Sequence, residues 1–137
     1  MKNVIAIAAG LSLAATAAFA QPATSGRAEI LSSVPSRSVT VTDWYKQSVY
    51  DPSDSKIGDV QDVLVSPDGR ATTLIVAVGG FLGVGEKDVA VPFASVKHTM
   101  KDKKIYLTMD TTKEALKAAP GMKYDRETTT WVSEAPK

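Results

Sequence analysis

The chain has 137 residues, with 16 Lys and Arg against 15 Asp and Glu, and no cysteine. This length corresponds to one domain with a single modest core. The balanced charge argues against a nucleic-acid partner, because binding to a phosphate backbone needs a basic excess or stripe. Without cysteine no disulfide can cross-link the domain, so packing and hydrogen bonds must stabilise it.

The N-terminal residues have the pattern of a signal peptide. Lys2 supplies a positive start, residues 4–13 are apolar and uncharged, and Ala18 and Ala20 fit the small-x-small pattern that precedes cleavage. A transmembrane anchor is the weaker interpretation, since a span needs about 20 strongly apolar residues. We therefore predict a signal peptide over residues 1–20, export to a bacterial periplasm, and no stable membrane span after cleavage.

The next segment, residues 21–43, is rich in Pro, Ser, Thr and Gly. Its apolar cluster, Ile30, Leu31 and Val34, is too short to form a core, and such a composition is typical of disorder. We predict a flexible, disordered linker. A tether or partner-recognition arm is the functional alternative to a simple spacer.

The folded domain is predicted over residues 44–110 and is mainly β. A short strand at Val49 and Tyr50 precedes a turn rich in Asp and Ser, and a longer strand follows at residues 57–65. The apolar spacing of that strand slips around Gly58, which is where a β-bulge or a sharp barrel bend would fit.

A hairpin is predicted at Asp68 and Gly69, joining the longer strand to residues 72–78. This second strand is apolar on both phases from Leu74 to Val78, as is typical of a strand buried on both faces. We expect it to be the central strand of the sheet.

The C-terminal half is predicted to add two strands and a short helix. Strands are expected at residues 89–91 and 105–109, with a helical turn or loop at residues 93–97. Thr111 and Glu114 predict a capping box for a helix that ends at Ala119, before Pro and Gly. The helix and tail occupy residues 111–137, and docking of Trp131 and Val132 onto the barrel is the alternative to a free tail.

Residues 57–96 resemble the signature of a PRC-barrel domain: a strand, the Pro67-Asp68-Gly69 turn, a second strand, the glycine-rich segment 79–87, and a strand ending at Pro92. That family takes its name from the H subunit of the photosynthetic reaction centre, and a similar domain forms the C-terminal part of a ribosome maturation factor. The resemblance implies a small antiparallel β-barrel that docks onto larger assemblies, and it implies no activity.

The glycine-rich segment does not fit a nucleotide-binding motif. Gly80 and Gly85 bracket four residues, as in a phosphate loop, but Glu86 stands where that loop needs Lys. The dinucleotide fingerprint fails as well, because Gly83 and Gly85 lack the third glycine and a βαβ setting. We predict no cofactor site here.

The polar residues do not form a recognisable catalytic or metal-binding pattern. His98 is the single histidine, so we predict a solvated loop residue and neither a metal ligand nor a catalytic base. The acidic residues between positions 51 and 62 lack the EF-hand order, and turn capping explains them. The lysines between positions 97 and 104 are explained by hairpin solubility. We predict no catalytic and no metal residues.

The preferred hypothesis is a non-enzymatic periplasmic protein-binding or adaptor module that offers a loop and a strand edge to a partner. The alternative is an envelope protein that binds a small ligand or an ion. Two large apolar side chains between glycines indicate a partner-contact or self-association site at the glycine-rich segment. Its candidate residues are Gly79, Gly80, Phe81, Leu82, Gly83, Gly85, Glu86 and Lys87.

Overall fold

The computed structural model describes residues 28–80 and 85–135. The predicted signal peptide lies outside them. Residues up to Pro35 form one unit, whose described part, residues 28–35, is exposed and holds no helix or strand. A second, compact unit begins at Ser36. It contains a one-turn helix within the segment for which the sequence predicts a linker.

The described part of the compact unit is mainly β, with eight strands in one sheet. The strands are β1 (Ser48–Tyr50), β2 (Lys56–Val65), β3 (Ala71–Val78), β4 (Lys87–Pro92), β5 (Val96–Lys101), β6 (Lys104–Met109), β7 (Met122–Asp125) and β8 (Thr130–Ser133). Two short helices, α1 (Val41–Trp44) and α2 (Lys113–Ala118), and a 3₁₀ turn (Phe93–Ser95) complete the unit. None of the described helices is long and apolar enough to cross a membrane.

The strand order is β5-β6-β1-β2-β3-β4-β7-β8. Neighbouring strands run antiparallel, except that β1 pairs with β6 in parallel, an arrangement that the sequence did not predict. After β4 the chain passes through the 3₁₀ turn into β5, and the β5–β6 hairpin places β6 beside β1.

The β2–β3 hairpin forms as predicted. Ser66 and Arg70 close its turn, with the Ser66 amide donating to the Arg70 carbonyl at 2.8 Å, and Gly69 has φ of 84°. Glycine takes this left-handed conformation at low cost. Strand β3 then lies between β2 and β4, and its residues from Leu74 to Val78 are all buried. The prediction of a central strand buried on both faces is confirmed.

The predicted bulge near Gly58 is also present. Val49 lies opposite Gly58 whereas Tyr50 lies opposite Lys56, so Ile57 is an extra residue in β2. A Cβ at Gly58 would lie 2.6 Å from the Ala77 carbonyl oxygen. The close approach of β2 and β3 therefore requires a residue without a side chain at this point.

The core lies on one face of the sheet. Trp44 of α1 covers one end of it, with its ring stacked on Phe93 at 4.6 Å between centroids. Leu116 of α2 is also part of the core. The buried strand residues in this cluster are Val49, Ile57, Val60, Leu74, Val76, Val78, Val89, Val91, Val96, Ile105, Leu107 and Met109.

The tail forms a hairpin that docks on the sheet. Its β7 strand pairs with β4 only where Met122 lies opposite Asp88. The Trp131 indole Nε1 donates to the Asp62 carboxylate at 2.8 Å, although β8 is four strands away from β2 in the order. At about 4.8 Å per strand, a flat sheet would separate them by nearly 20 Å. The β7–β8 hairpin therefore folds back across the sheet, near Ile75, which lies opposite Asp62.

Two local predictions are wrong in position. The N-cap of α2 is Thr112, whose side chain accepts from the Ala115 amide at 3.1 Å, and not Thr111. Thr111 still belongs to the turn after β6, because its amide donates to the Met109 carbonyl. The 3₁₀ turn is found at the predicted place, but β5 begins directly after it, so His98 lies on a strand and not in a loop.

Candidate protein-binding surface

Strand β5 forms one end of the sheet and pairs only with β6 among the described strands. Its residues Val96, His98 and Met100 face the same side as the core residues of β6, since Met100 lies opposite the buried Ile105. Val96 is buried, but the other five residues of the strand are exposed. The Met100 side chain is 66% exposed although it lies on the apolar face of the sheet.

The backbone of β5 offers free hydrogen-bonding groups on its outer side. The turn to β6 has two residues with positive φ, Asp102 at 52° and Lys103 at 62°, as a type I′ turn requires. Strands β5 and β6 pair up to this turn, so Lys101 and Lys104, which flank it, form a hydrogen-bonded pair. Along an antiparallel ladder such pairs alternate with pairs that exchange no hydrogen bonds. The N–H and C=O groups of His98 and Met100 therefore point away from β6.

A groove of mixed polarity lies between the β5–β6 hairpin and α1. Val39, Tyr45, Met100 and Ile105 form its apolar lining, and Lys103 and Lys104 are among its polar lining residues. The groove has a volume of about 320 Å³. Val39 and Tyr45 are both exposed. We call the outer side of β5 together with this groove the β5 edge.

The other face of β5 carries lysines, one of which has an acidic neighbour: the Lys101 ammonium lies 3.9 Å from the Asp54 carboxylate. Lys97 and Lys101 alternate with Thr99 on that face, and Lys104 lies opposite Lys101 on β6. The Lys101 ammonium lies 4.5 Å from the centroid of the Tyr106 ring. A strand with an apolar and a basic face thus ends the sheet.

The glycine-rich hairpin between β3 and β4 is fixed at its base. Gly79, Gly80 and Gly85 have φ between 76° and 81°. The Lys87 ammonium donates to the carbonyl of Lys117 on α2 at 2.7 Å. Both ends of the loop thus have a defined conformation. The apolar candidates Phe81 and Leu82, together with Gly83, lie outside the described residues.

A family model of the PRC-barrel domain matches residues 37–116, which is more than half of the chain. The chain belongs to the PRC-barrel domain family. The resemblance inferred from the sequence is therefore confirmed. The match includes the β5 edge and the glycine-rich hairpin, and it ends within α2, before the β7–β8 hairpin. No curated protein matches the chain.

The acidic residues of this PRC-barrel protein have structural partners. Hydrogen bonds from the Ser53 hydroxyl, and from the Ser55 and Ser53 amides, lower the pKa of Asp51, which organises its turn. Asp59 pairs with Lys56 at 2.8 Å, and Asp62 accepts from Trp131. Among residues 28–80 and 85–135 no three His, Asp or Glu side chains are grouped as metal ligands.

One carboxyl group lies in an unfavourable position. Partial burial, with a smaller contribution from the nearby charge of Glu86, raises the pKa of Asp88. Asp88 lies where β4 meets both β3 and β7, opposite Ala77 and Met122. Its position at this junction accounts for the shift without a catalytic role.

A second cavity lies on the far side of the β5–β6 hairpin. It has a volume of about 510 Å³, and Asp51, Asp54, Lys97 and Tyr106 are among the residues that line it. The Tyr106 hydroxyl is buried and has no hydrogen-bond partner among the described residues. The oxygen is shielded from solvent, so the cavity presents the Tyr106 ring and not its hydroxyl.

Proposed function

We propose that this chain is a non-enzymatic periplasmic PRC-barrel protein that binds a protein partner through the β5 edge. The observation that carries the proposal is the exposure of Met100 on the core side of a strand that pairs on one side only among the described strands. Two kinds of unsatisfied surface coincide there, namely free backbone groups and uncovered apolar side chains.

The combination favours a protein over a small molecule. Edge strands present rows of donors and acceptors that another polypeptide can pair with. The groove lined by Val39, Tyr45 and Met100 is exposed and shares Met100 with β5. A polypeptide can satisfy the backbone groups and cover the groove at the same time.

The periplasmic part of the proposal rests on the signal-peptide pattern of residues 1–20. The lack of cysteine is compatible with an oxidising compartment, since no free thiol is exposed to oxidation there. The non-enzymatic part rests on the sequence, which has no recognisable nucleophile, base or metal-ligand pattern.

The glycine-rich hairpin is proposed as a second contact site, because its ends are fixed and its sequence places two apolar residues between glycines. Phe81→Ser should leave the melting temperature nearly unchanged while reducing partner capture. A drop of many degrees with unchanged capture would show that Phe81 instead fills part of the barrel.

A small-ligand function is the second candidate, and the cavity of about 510 Å³ lined by Asp51, Asp54, Lys97 and Tyr106 favours it. A ligand with a hydrogen-bonding or positively charged group would use the Asp54 carboxylate there. Asp54→Asn should then weaken binding of a small molecule that co-purifies with the exported protein. Unchanged binding would eliminate this candidate.

Site-specific photo-crosslinking tests the preferred function. A photoreactive residue is placed at Met100 or, as the matched control, at Val65, which is exposed to a similar extent on β2. We expect a discrete protein adduct from position 100 after irradiation of periplasm and none from position 65. Equal adducts from both positions, or no adduct at position 100, would contradict the proposal.

A further inference from the structure

We propose that the partner of the β5 edge is an extended segment that alternates apolar and acidic residues and pairs with β5 as an additional strand. The inference rests on the proposed function and names the class of partner. It follows from three features of β5: the direction of its free backbone groups, the exposure of its apolar face, and the charge of its other face.

The backbone determines the binding mode. His98 and Met100 direct their N–H and C=O groups toward the free edge, so an incoming strand meets two donors and two acceptors spaced two residues apart. A helix or a compact loop cannot match this spacing, because its own backbone groups are paired or point elsewhere. A strand of about six residues would match β5 along its length.

The two faces determine the side chains of that strand. On the core side, the partner lies beside Met100 and close to the groove lined by Val39 and Tyr45, which favours apolar residues at every second position. On the other side it lies beside Lys97 and Lys101, and the Asp54 carboxylate lies 3.9 Å from the Lys101 ammonium in an exposed pair. Acidic residues at the intervening positions would pair with Lys97 and compete with Asp54 for Lys101.

The same lysines argue against a second copy of this chain as the occupant. An antiparallel β5–β5 pair would bring lysines from the two copies onto one face, close to one another. Like charges in neighbouring cross-strand positions destabilise a sheet, and edge lysines are a common protection against self-pairing. The β5 edge therefore discriminates between partners by charge as well as by backbone pairing.

A synthetic probe tests the inference. A capped, fluorescent seven-residue peptide of alternating valine and glutamate is titrated into the exported protein and followed by fluorescence anisotropy. One control peptide has the same composition with valines and glutamates in separate blocks, and another has lysine in place of glutamate. We expect the alternating acidic peptide to bind, the two controls to bind at least about tenfold more weakly, and added salt to weaken binding.

Paired variants at one position distinguish the contribution of the backbone to peptide binding from that of the side chain. His98→Pro removes one outward N–H and leaves the ladder to β6 intact, whereas His98→Ala keeps that N–H. We expect His98→Pro to weaken peptide binding by about tenfold and His98→Ala by less than about threefold. The Lys97→Glu/Lys101→Glu double variant should reverse the preference and select the lysine peptide.

The melting temperature of each variant verifies its fold. If His98→Pro is unfolded, N-methylation of alternate peptide amides replaces it, because this change removes the peptide N–H groups that would donate to the outward carbonyls of His98 and Met100, the complementary hydrogen bonds of the same ladder. Equal affinity for the alternating and block peptides, or no effect of either backbone change, would overturn the inference. The photo-crosslink at position 100 then decides the proposed function separately: an adduct that the acidic peptide does not displace leaves that function standing and overturns only the partner class.

Discussion

Strands β3 and β5 belong to the same sheet and have opposite environments. In β3 the residues from Leu74 to Val78 are buried on both faces, the inner face by the core and the outer face near the β7–β8 hairpin. In β5 only Val96 is buried, and one side of its backbone has no neighbouring strand among the described residues. The comparison indicates that the centre of the sheet provides the stability of the domain, and it supports the proposal that the β5 end is a binding surface.

The largest expected effect comes from truncation of the central strand. Ile75→Ala should lower the free energy of unfolding by about 2 to 5 kcal/mol, because a fully buried aliphatic side chain is removed. Met100→Ala, the matched change on β5, should stay within about 0.5 kcal/mol. Denaturant melts measure both. Similar losses of unfolding free energy at positions 75 and 100 would contradict the difference in burial between β3 and β5.

The bulge next to β3 is the next most sensitive point. Gly58→Ala should cost about 1 to 3 kcal/mol, because the added Cβ would overlap the Ala77 carbonyl oxygen and the Val76 side chain. The control is Gly69→Ala, where no atom lies within 4 Å and only the positive φ opposes the change. A smaller loss at position 58 than at position 69 would contradict the close approach of β2 and β3.

The docking of the tail hairpin is tested by one hydrogen bond. Trp131→Phe keeps an aromatic ring but removes the N–H that donates to Asp62, so we expect a loss of about 1.5 kcal/mol. Tyr124→Phe removes only a hydroxyl from a residue that is half exposed and serves as the control. If the two variants had the same melting temperature, docking of the tail hairpin would not explain the burial of the outer face of β3.

The smallest effect concerns Asp88. Because its pKa is raised in the folded protein, the folded state holds the proton more tightly, and stability decreases as the pH rises through that pKa. Asp88→Asn should therefore raise the melting temperature slightly at pH 7. The gain should vanish at pH 3, below the ordinary value of 3.8, where both side chains are neutral. A gain that is independent of pH would contradict this origin.

The centre of the sheet could be predicted from the sequence, and its edge could not. The unbroken apolar run from Leu74 to Val78 and the turn at Gly69 identify β3 directly, because burial on both faces leaves no polar interruption. Strand β5 has His98 and Met100 on its apolar side and lysines on the other, a pattern that is also compatible with a solvated loop. Only the pairing register with β6 shows that His98 and Met100 lie on the core side of the sheet and the lysines on the other side.

The two strands of the tail were not predicted, although docking of Trp131 and Val132 was the alternative to a free tail. Residues 122–133 have no clear period, and the bond from Trp131 to Asp62 spans 69 positions in the sequence. Thr111 was the predicted N-cap because Glu114 follows three residues later, but its amide donates to the Met109 carbonyl at the end of β6, and Thr112 is the N-cap. Interactions of this kind depend on tertiary structure and are not encoded in local patterns.

Residue-resolved hydrogen exchange measures directly whether β5 is an open edge. We expect strong protection of the amides along β3. Along β5 we expect alternating protection, with the Thr99 and Lys101 amides protected by β6 and the His98 and Met100 amides exchanging rapidly. The alternating acidic peptide should protect His98 and Met100 selectively. Uniform protection along β5 in the free protein, or no gain at these two amides with saturating peptide, would contradict the claim that β5 is an open binding edge.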